Sequence, residues 1–171
     1  AWFDDGSVVN ATIYDGMSGP GYRINELKIK GGYTGTIDLN GKNLKVTKNI
    51  AIYSGTLLVP TGSILQNWGD LYIYSGGTLN ASDAEKISVK HNVQLTGVLN
   101  APGGDHTRFV VHGGFNIHSG GTFNHNNGTV TLSTQYKHNS CAKAERRVFI
   151  EDGPAPGRNF YNLYKKARKP I

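Results

Sequence analysis

Ile50-Ala-Ile-Tyr-Ser-Gly55 is restated as Leu71-Tyr-Ile-Tyr-Ser-Gly76, Val93-Gln-Leu-Thr-Gly97 and Phe115-Asn-Ile-His-Ser-Gly120, at steps of 21, 22 and 22 residues. A looser copy, Leu27-Lys-Ile-Lys-Gly-Gly32, begins 23 residues before the first. A fixed period in the twenties is the signature of a solenoid. Each phrase alternates apolar and polar residues, so that Ile50 and Ile52, Leu71 and Ile73, Val93 and Leu95, and Phe115 and Ile117 share one face, as a half-buried strand requires. A second strand precedes each phrase: Leu44-Lys-Val46, Ile64-Leu-Gln66, Ile87-Ser-Val89 and Phe109-Val-Val111, with Val130-Thr-Leu132 following at the same period. A third follows each phrase as Thr56-Leu57, Thr78-Leu79, Val98-Leu99 and Thr122-Phe123, set off by Gly55, Gly76, Gly97 and Gly120. Three short strands and glycine-permitted corners make one coil. The expected fold is therefore all-β, a parallel β-helix (solenoid) with three-strand coils of about 22 residues.

In such a fold every inward side chain stacks on its counterpart one coil away, and no coil buries its apolar face alone. Backbone hydrogen bonds run from coil to coil, so both ends of the stack are open sheet edges that need a cap or a partner. The rhythm divides the chain into residues 1–26, an N-terminal cap or the end of a preceding module; residues 27–132, the coils; and residues 133–171, a C-terminal loop, strand and junction segment. Two insertions, Ser82-Asp-Ala-Glu-Lys86 and Ala101-Pro-Gly-Gly-Asp-His-Thr-Arg108, fall at the same corner of successive coils. Insertions at one corner project from one face, where solenoids often bind.

The 171 residues suffice for one domain, and 23 glycines with 37% hydrophobic residues suit a thin solenoid better than a thick globule. Eighteen Lys and Arg against twelve Asp and Glu leave a net charge of +6, part of it in Lys165-Lys166-Ala-Arg168-Lys169. A basic balance attracts anionic polysaccharide, nucleic acid or a membrane surface. The tail lacks the aromatic interleaving of a nucleic-acid groove, so no nucleic-acid partner is expected, and a plain basic tail or processing site explains it as well. Cys141 is the single cysteine, so an intrachain disulfide is excluded. No apolar run reaches the roughly 20 residues that span a bilayer. Secretion, with any signal already removed, is the expectation, and the opening Ala1-Trp2-Phe3 fits a mature terminus and a fragment boundary equally well.

The two ends of the chain resemble each other. Asp15-Gly-Met-Ser-Gly-Pro20-Gly21-Tyr-Arg-Ile24-Asn-Glu-Leu27 can be set against Asp152-Gly-Pro-Ala-Pro156-Gly157-Arg-Asn-Phe160-Tyr-Asn-Leu163, about 136 residues later. Pro20, Gly21, Ile24 and Leu27 then match Pro156, Gly157, Phe160 and Leu163, and these eight residues are the candidate subunit or module junction. A chain whose end restates its beginning suggests a repeated module in a longer polypeptide, or a subunit extended by the next. Shared Gly/Pro turn composition is the plain alternative.

The Gly-Gly-Thr-Leu-Asn80 and Gly-Gly-Thr-Phe-Asn124 phrases, with Gly128-Thr-Val-Thr-Leu132 and Asn-Phe-Tyr-Asn-Leu163, resemble the repeat-rich parallel β-helical regions of large secreted bacterial and archaeal surface proteins, such as autotransporter passengers and filamentous adhesins. The resemblance covers roughly residues 22 to 164 and implies an extracellular or cell-surface structural or adhesive role. The basic tail and the aperiodic stretch 133–147 depart from that pattern.

Parallel β-helices also serve as polysaccharide lyases and hydrolases, whose acid–base chemistry wants two carboxyl groups roughly 5 to 9.5 Å apart. Asp105, His106 and Arg108, with Asp83 and Glu85 one coil earlier, are the residues to consider; solvated turns account for them equally, and no catalytic residue is assigned. His106, His112, His118 and His125 lack zinc-site spacings and the carboxylates lack a calcium-loop pattern, so neither metal nor cofactor is expected. Tyr53, Tyr74, Thr96 and His118 share one outward column, of which Tyr53, Tyr74 and His118 form a candidate surface for a sugar chain or a neighbouring filament. Strand propensity alone also favours Tyr and Thr there. Asn10, Asn80 and Asn127 stand in Asn-x-Ser/Thr sequons. The expectation is thus a non-enzymatic extracellular structural protein whose partner is itself, a homopolymer assembled head to tail into a filament or surface layer, or a module of a giant adhesin. A carbohydrate-binding or polysaccharide-cleaving β-helix, with glycans or anionic polysaccharide as partners, is the alternative.

Overall fold

The computed structural model describes residues 2–3, 8–14, 22–105, 108–133, 148–150 and 162–166. In chain order the strands are β1 (Trp2–Phe3), β2 (Ala11–Thr12), β3 (Tyr22–Ile24), β4 (Leu27–Ile29), β5 (Thr36–Asp38) and β6 (Leu44–Val46). They continue as β7 (Ile50–Leu58), β8 (Ile64–Asn67), β9 (Leu71–Asn80), β10 (Lys86–Val89), β11 (Val93–Leu95) and β12 (Val98–Asn100). The last are β13 (Phe109–Val111), β14 (Phe115–Ile117), β15 (Thr122–Asn124), β16 (Thr129–Ser133), β17 (Val148–Ile150) and β18 (Asn162–Lys166). Every pairing is parallel, and the described residues include no helix. The chain is a β-solenoid of about five turns with successive coils about 22 residues apart.

Each coil has three faces. The first strand of each coil builds a seven-stranded sheet in the order β18-β16-β13-β10-β8-β6-β3. The quoted phrases stack as β1-β4-β7-β9-β11-β14-β17, and the third strands stack beside them from β2 to β15 in the same eleven-stranded sheet. Two of the corners between phrase and third strand are bends inside one strand: β7 and β9 run through them, with a register irregularity between Ile52 and Ser54. Gly55 makes the bend possible, since its φ is +70° and a Cβ there would lie 2.6 Å from the Tyr33 ring.

The alternation decides the core. Leu27, Ile50, Leu71, Val93 and Phe115 form one buried column, Ile29, Ile52, Ile73, Leu95 and Ile117 a second, and Ile37, Leu57, Leu79, Leu99 and Phe123 a third. Burying one such side chain contributes about 1.5–3 kcal/mol. A further buried column runs Leu39, Val59, Ala81 and Ala101, its side chains shrinking from leucine to alanine along the stack. One coil draws a phenylalanine from each face. Phe115 meets Phe109 at 5.8 Å and Phe123 at 5.0 Å, both edge to face, the geometry that aromatic quadrupoles favour.

The first-strand sheet departs from the sequence reading in one coil. Leu44 pairs with Leu65 and Val46 with Asn67, so β8 sits one residue later than Ile64-Leu-Gln66 implies, and Gln66 faces outward. A slip of one residue exchanges the faces of a strand. The buried aliphatic column Val46, Val89, Val111 and Leu132 is therefore interrupted by Asn67, which is 1% exposed. Its amide is satisfied by the corner that follows: Nδ2 donates to the carbonyls of Gly69 at 3.2 Å and Asp70 at 2.8 Å, and Oδ1 accepts from the Gly69 N–H at 3.3 Å. Satisfied in this way, a polar side chain is tolerated in an apolar column.

Corners are stitched by asparagine and aspartate. Asn10, Asn43, Asn49, Asp70 and Asn92 each present a side-chain Oδ1 to a backbone N–H one coil later, on Thr36, Ile64, Asp70, Asn92 and Gly114, at 2.8 to 2.9 Å. On the third face Asn124 Nδ2 donates to Asn100 at 2.7 Å and Asn100 Nδ2 to Asn80 at 3.5 Å, a short amide ladder of the kind stacked parallel strands allow.

The parallel pairing runs past both boundaries drawn from the rhythm. β1 and β2 pair with β4 and β5, β3 pairs with β6, and at the other end β17 and β18 pair with β14 and β16. Near the first coils Tyr33, 1% exposed, donates its hydroxyl to the Val9 carbonyl at 2.9 Å and packs against Phe3.

Candidate functional site

The described residues of the candidate junction, Ile24, Leu27 and Leu163, do not all lie on one face of the solenoid. Leu163 pairs with Val130 and continues a line through Phe109, Ile87, Leu65 and Leu44 to Tyr22 in the first-strand sheet. Leu27 instead pairs with Ile50 in the phrase sheet and is buried in the core, while Ile24 closes β3 half-buried against it. Register thus sets β18 opposite β3 and, by way of Ile117, sets Ile150 in line with Phe3. Pro20, Gly21, Pro156, Gly157 and Phe160 lie outside the described residues, as do His106 and Cys141.

The outward tyrosine column is assembled by stacking. Tyr53 and Tyr74 lie face to face, 4.3 Å between ring centroids and 4° from parallel, and Tyr72 flanks Tyr74 at 6.2 Å. Tyr53 and Tyr74 keep 39% and 36% of their surface exposed, enough to offer a ring edge to a ligand. Burial, then the Tyr53 hydroxyl and the neighbouring phenols, hold the Tyr74 hydroxyl above the usual tyrosine range. Burial and the Asp70 carboxylate do the same for Tyr72, whose hydroxyl donates to Asp70 Oδ2 at 3.2 Å. His118 stands higher in the column and is engaged elsewhere, its Nε2 2.7 Å from Gln94 Oε1. The structure therefore brings Tyr53, Tyr72 and Tyr74 together and gives His118 a partner of its own.

At the insertion corner Asp83, Glu85, Asp105 and Arg108 are all exposed. Their backbones serve the turns: the Arg108 N–H reaches the Asp105 carbonyl at 3.4 Å, and the Glu85 N–H reaches the Ser63 carbonyl one coil back at 3.0 Å. Among the described residues no three His, Cys, Asp or Glu side chains are gathered as a metal ion would require. Of the sequon asparagines, Asn127 is exposed with φ +57°, Asn10 is exposed and caps Thr36, and Asn80 accepts from Ser82 and Asn100 within the amide ladder.

A further surface, on the outer side of the first-strand sheet, was not legible as a motif. Lys45 places its Nζ 3.7 Å from the centre of the Trp68 ring, and the Arg23 guanidinium lies 5.7 Å from the same ring. Arg23 and Lys45 are direct partners across β3 and β6. Trp68 and Lys90 hold equivalent corner positions of successive coils, their N–H groups donating to Val46 and Asn67 one coil back at 2.8 Å, and His112 follows with its Nε2 3.5 Å from Lys90 Nζ. Burial first, then the like charges of Lys86 and Lys45, push the Lys90 ammonium below the ordinary lysine range. The available signal was spacing: Arg23, Lys45 and Trp68 follow one another at 22 and 23 residues, and Lys90 comes 22 after Trp68.

Comparisons with protein-family models, with curated proteins and with solved structures yield no match.

Proposed function

We propose that this chain is a non-enzymatic structural β-solenoid of the cell surface or extracellular space that assembles head to tail with copies of itself. The observation that carries the reading is the placement of β3 and β18. They are the outermost described strands of one parallel sheet, at opposite ends of the stack, and Tyr22 and Leu163 stand on one line of register. Setting β3 of a second copy on β18 would extend that sheet in the same direction and register. An edge strand offers a row of backbone donors and acceptors, and a heterologous contact that does not close produces a filament. Surface location follows the repeat grammar shared with secreted β-helical proteins and is part of the same reading.

Electron microscopy of negatively stained protein, with sedimentation across a concentration series, tests it. The full chain should form unbranched fibres, and deleting residues 158–171, which removes β18, should abolish them while the β-sheet circular dichroism of the coils persists. A full chain that sediments as a monomer at every concentration overturns the proposal.

A further inference from the structure

We infer that Tyr53 and Tyr74 form a site of oxidative cross-linking, where a one-electron oxidant joins two neighbouring coils through a dityrosine bond. The two rings stand 4.3 Å apart, 4° from parallel, and both are exposed. Register makes the pair. Tyr53 follows Ile52 and Tyr74 follows Ile73, and Ile52 and Ile73 are direct partners in β7 and β9. Because the strands are parallel, both side chains leave the sheet on the same side with the same lean, so each ring lies along the whole of the other. The phenols are near enough for Tyr53 to help hold the Tyr74 hydroxyl above its usual range.

The chemistry uses that arrangement. A haem peroxidase takes one electron and one proton from each phenol, and the hydrogen peroxide it consumes is reduced to two molecules of water. Each phenoxyl radical carries much of its unpaired electron on the ring carbons ortho to oxygen. A carbon–carbon bond forms between an ortho carbon of one ring and an ortho carbon of the other. Each of those carbons then loses its proton while its oxygen regains one, which restores both phenols. The protein has lost two hydrogens and gained one covalent bond. Free phenoxyl radicals must meet by diffusion, whereas rings already held in contact couple within one molecule. The neighbouring phenols are placed less well. Tyr72 lies 6.2 Å from Tyr74 on the same strand and gives its hydroxyl to Asp70, and Tyr33 is buried with its hydroxyl on the Val9 carbonyl. The bond ties one coil to the next, which restricts the unfolded chain and stabilises the fold.

The test is treatment of the intact chain with a haem peroxidase and hydrogen peroxide, followed by denaturing electrophoresis. Dityrosine fluorescence should appear in the single-chain band, whose mass falls by two hydrogens, and the melting temperature should rise. Cleavage before Asp70 by an aspartate-directed protease separates Tyr53 from Tyr74 in sequence, so their two peptides should stay joined in the mass spectrum. Tyr53→Phe and Tyr74→Phe should each cut single-chain dityrosine roughly tenfold, since the partner held in contact can no longer couple. Tyr72→Phe should leave the yield unchanged, and melting curves before oxidation confirm that each variant is folded. No dityrosine in the single-chain band, a link mapped to another pair of tyrosines, or a Tyr53-to-Tyr74 link confined to multimers overturns the inference. Full yield in Tyr53→Phe overturns it as well.

Discussion

Asn67 stands in direct register with Val46, an amide in a column of aliphatics, and both are buried to within 1%. The three hydrogen bonds that Asn67 makes to Gly69 and Asp70 hold the corner leading into β9. Asn67→Ala should therefore cost about 1–3 kcal/mol, because it opens the column and removes the acceptor of the Gly69 N–H. The Gly69 and Asp70 carbonyls keep the bonds they accept from the His91 and Ile50 N–H groups. Asn67→Val restores the column's shape but not the amide's bonds, so it should remain destabilising in urea titrations. A valine variant as stable as the parent would show that packing, not the amide, sets this corner.

Phe115 touches aromatic rings from the other two faces of its coil. Phe115→Ala should lose about 3–5 kcal/mol, the usual cost of emptying an aromatic site in a core. Coils interact mainly with their neighbours, so amide exchange should accelerate first in residues 109–124 and their adjoining coils. Uniform acceleration across the solenoid would contradict this.

Tyr72 and Tyr74 are held above the usual phenol pKa, chiefly by burial. A free phenol ionises near pH 10, so the stability gained by keeping these groups neutral is complete below that pH and is lost as pH rises through the raised folded values. Melting temperature should fall as pH climbs from about 9 to about 11, and Tyr74→Phe should make the fall shallower. An unchanged slope in the variant would remove the tyrosine column from the cause.

Ser63 is fully buried, and its Oγ has no hydrogen-bond partner among the described residues. Its backbone still serves the turn, through N–H to Pro60 and C=O from Glu85. Ser63→Ala should be neutral or stabilise the fold by up to about 1 kcal/mol, since it removes an unsatisfied hydroxyl and little volume. Measurable destabilisation would reveal a partner for that hydroxyl.

The phrase sheet and third face were legible because period-2 alternation and a 22-residue repeat coincide there, as in Ile50/Ile52 and Leu71/Ile73, and all four are buried. The register of β8 was not, because an asparagine reads as a turn or surface residue until its partners at Gly69 and Asp70 are known. The pairing of the N-terminal strands with the coils was hidden for a different reason: β1 and β2 have two residues each, too few to show a period. The tyrosine column was readable as a column, yet the contact between Tyr53 and Tyr74 and the separate bond of His118 to Gln94 depend on side-chain lean. Lys45 over Trp68 crosses from one column to another, and a repeat alignment compares only residues within a column.

The corner bonds of Asn10, Asn43, Asn49, Asp70 and Asn92 all point one way, each oxygen accepting a hydrogen bond from a backbone N–H of the coil that follows it in sequence. The solenoid is consequently a vector, like an arrow with a tip and a tail. Over successive coils the relay runs from Asn49 to Asp70 to Asn92 and ends on the backbone of Gly114, which has no side chain to pass it on. The direction of the chain is thus written a second time, in five small side chains that hold one corner after another to the coil that follows.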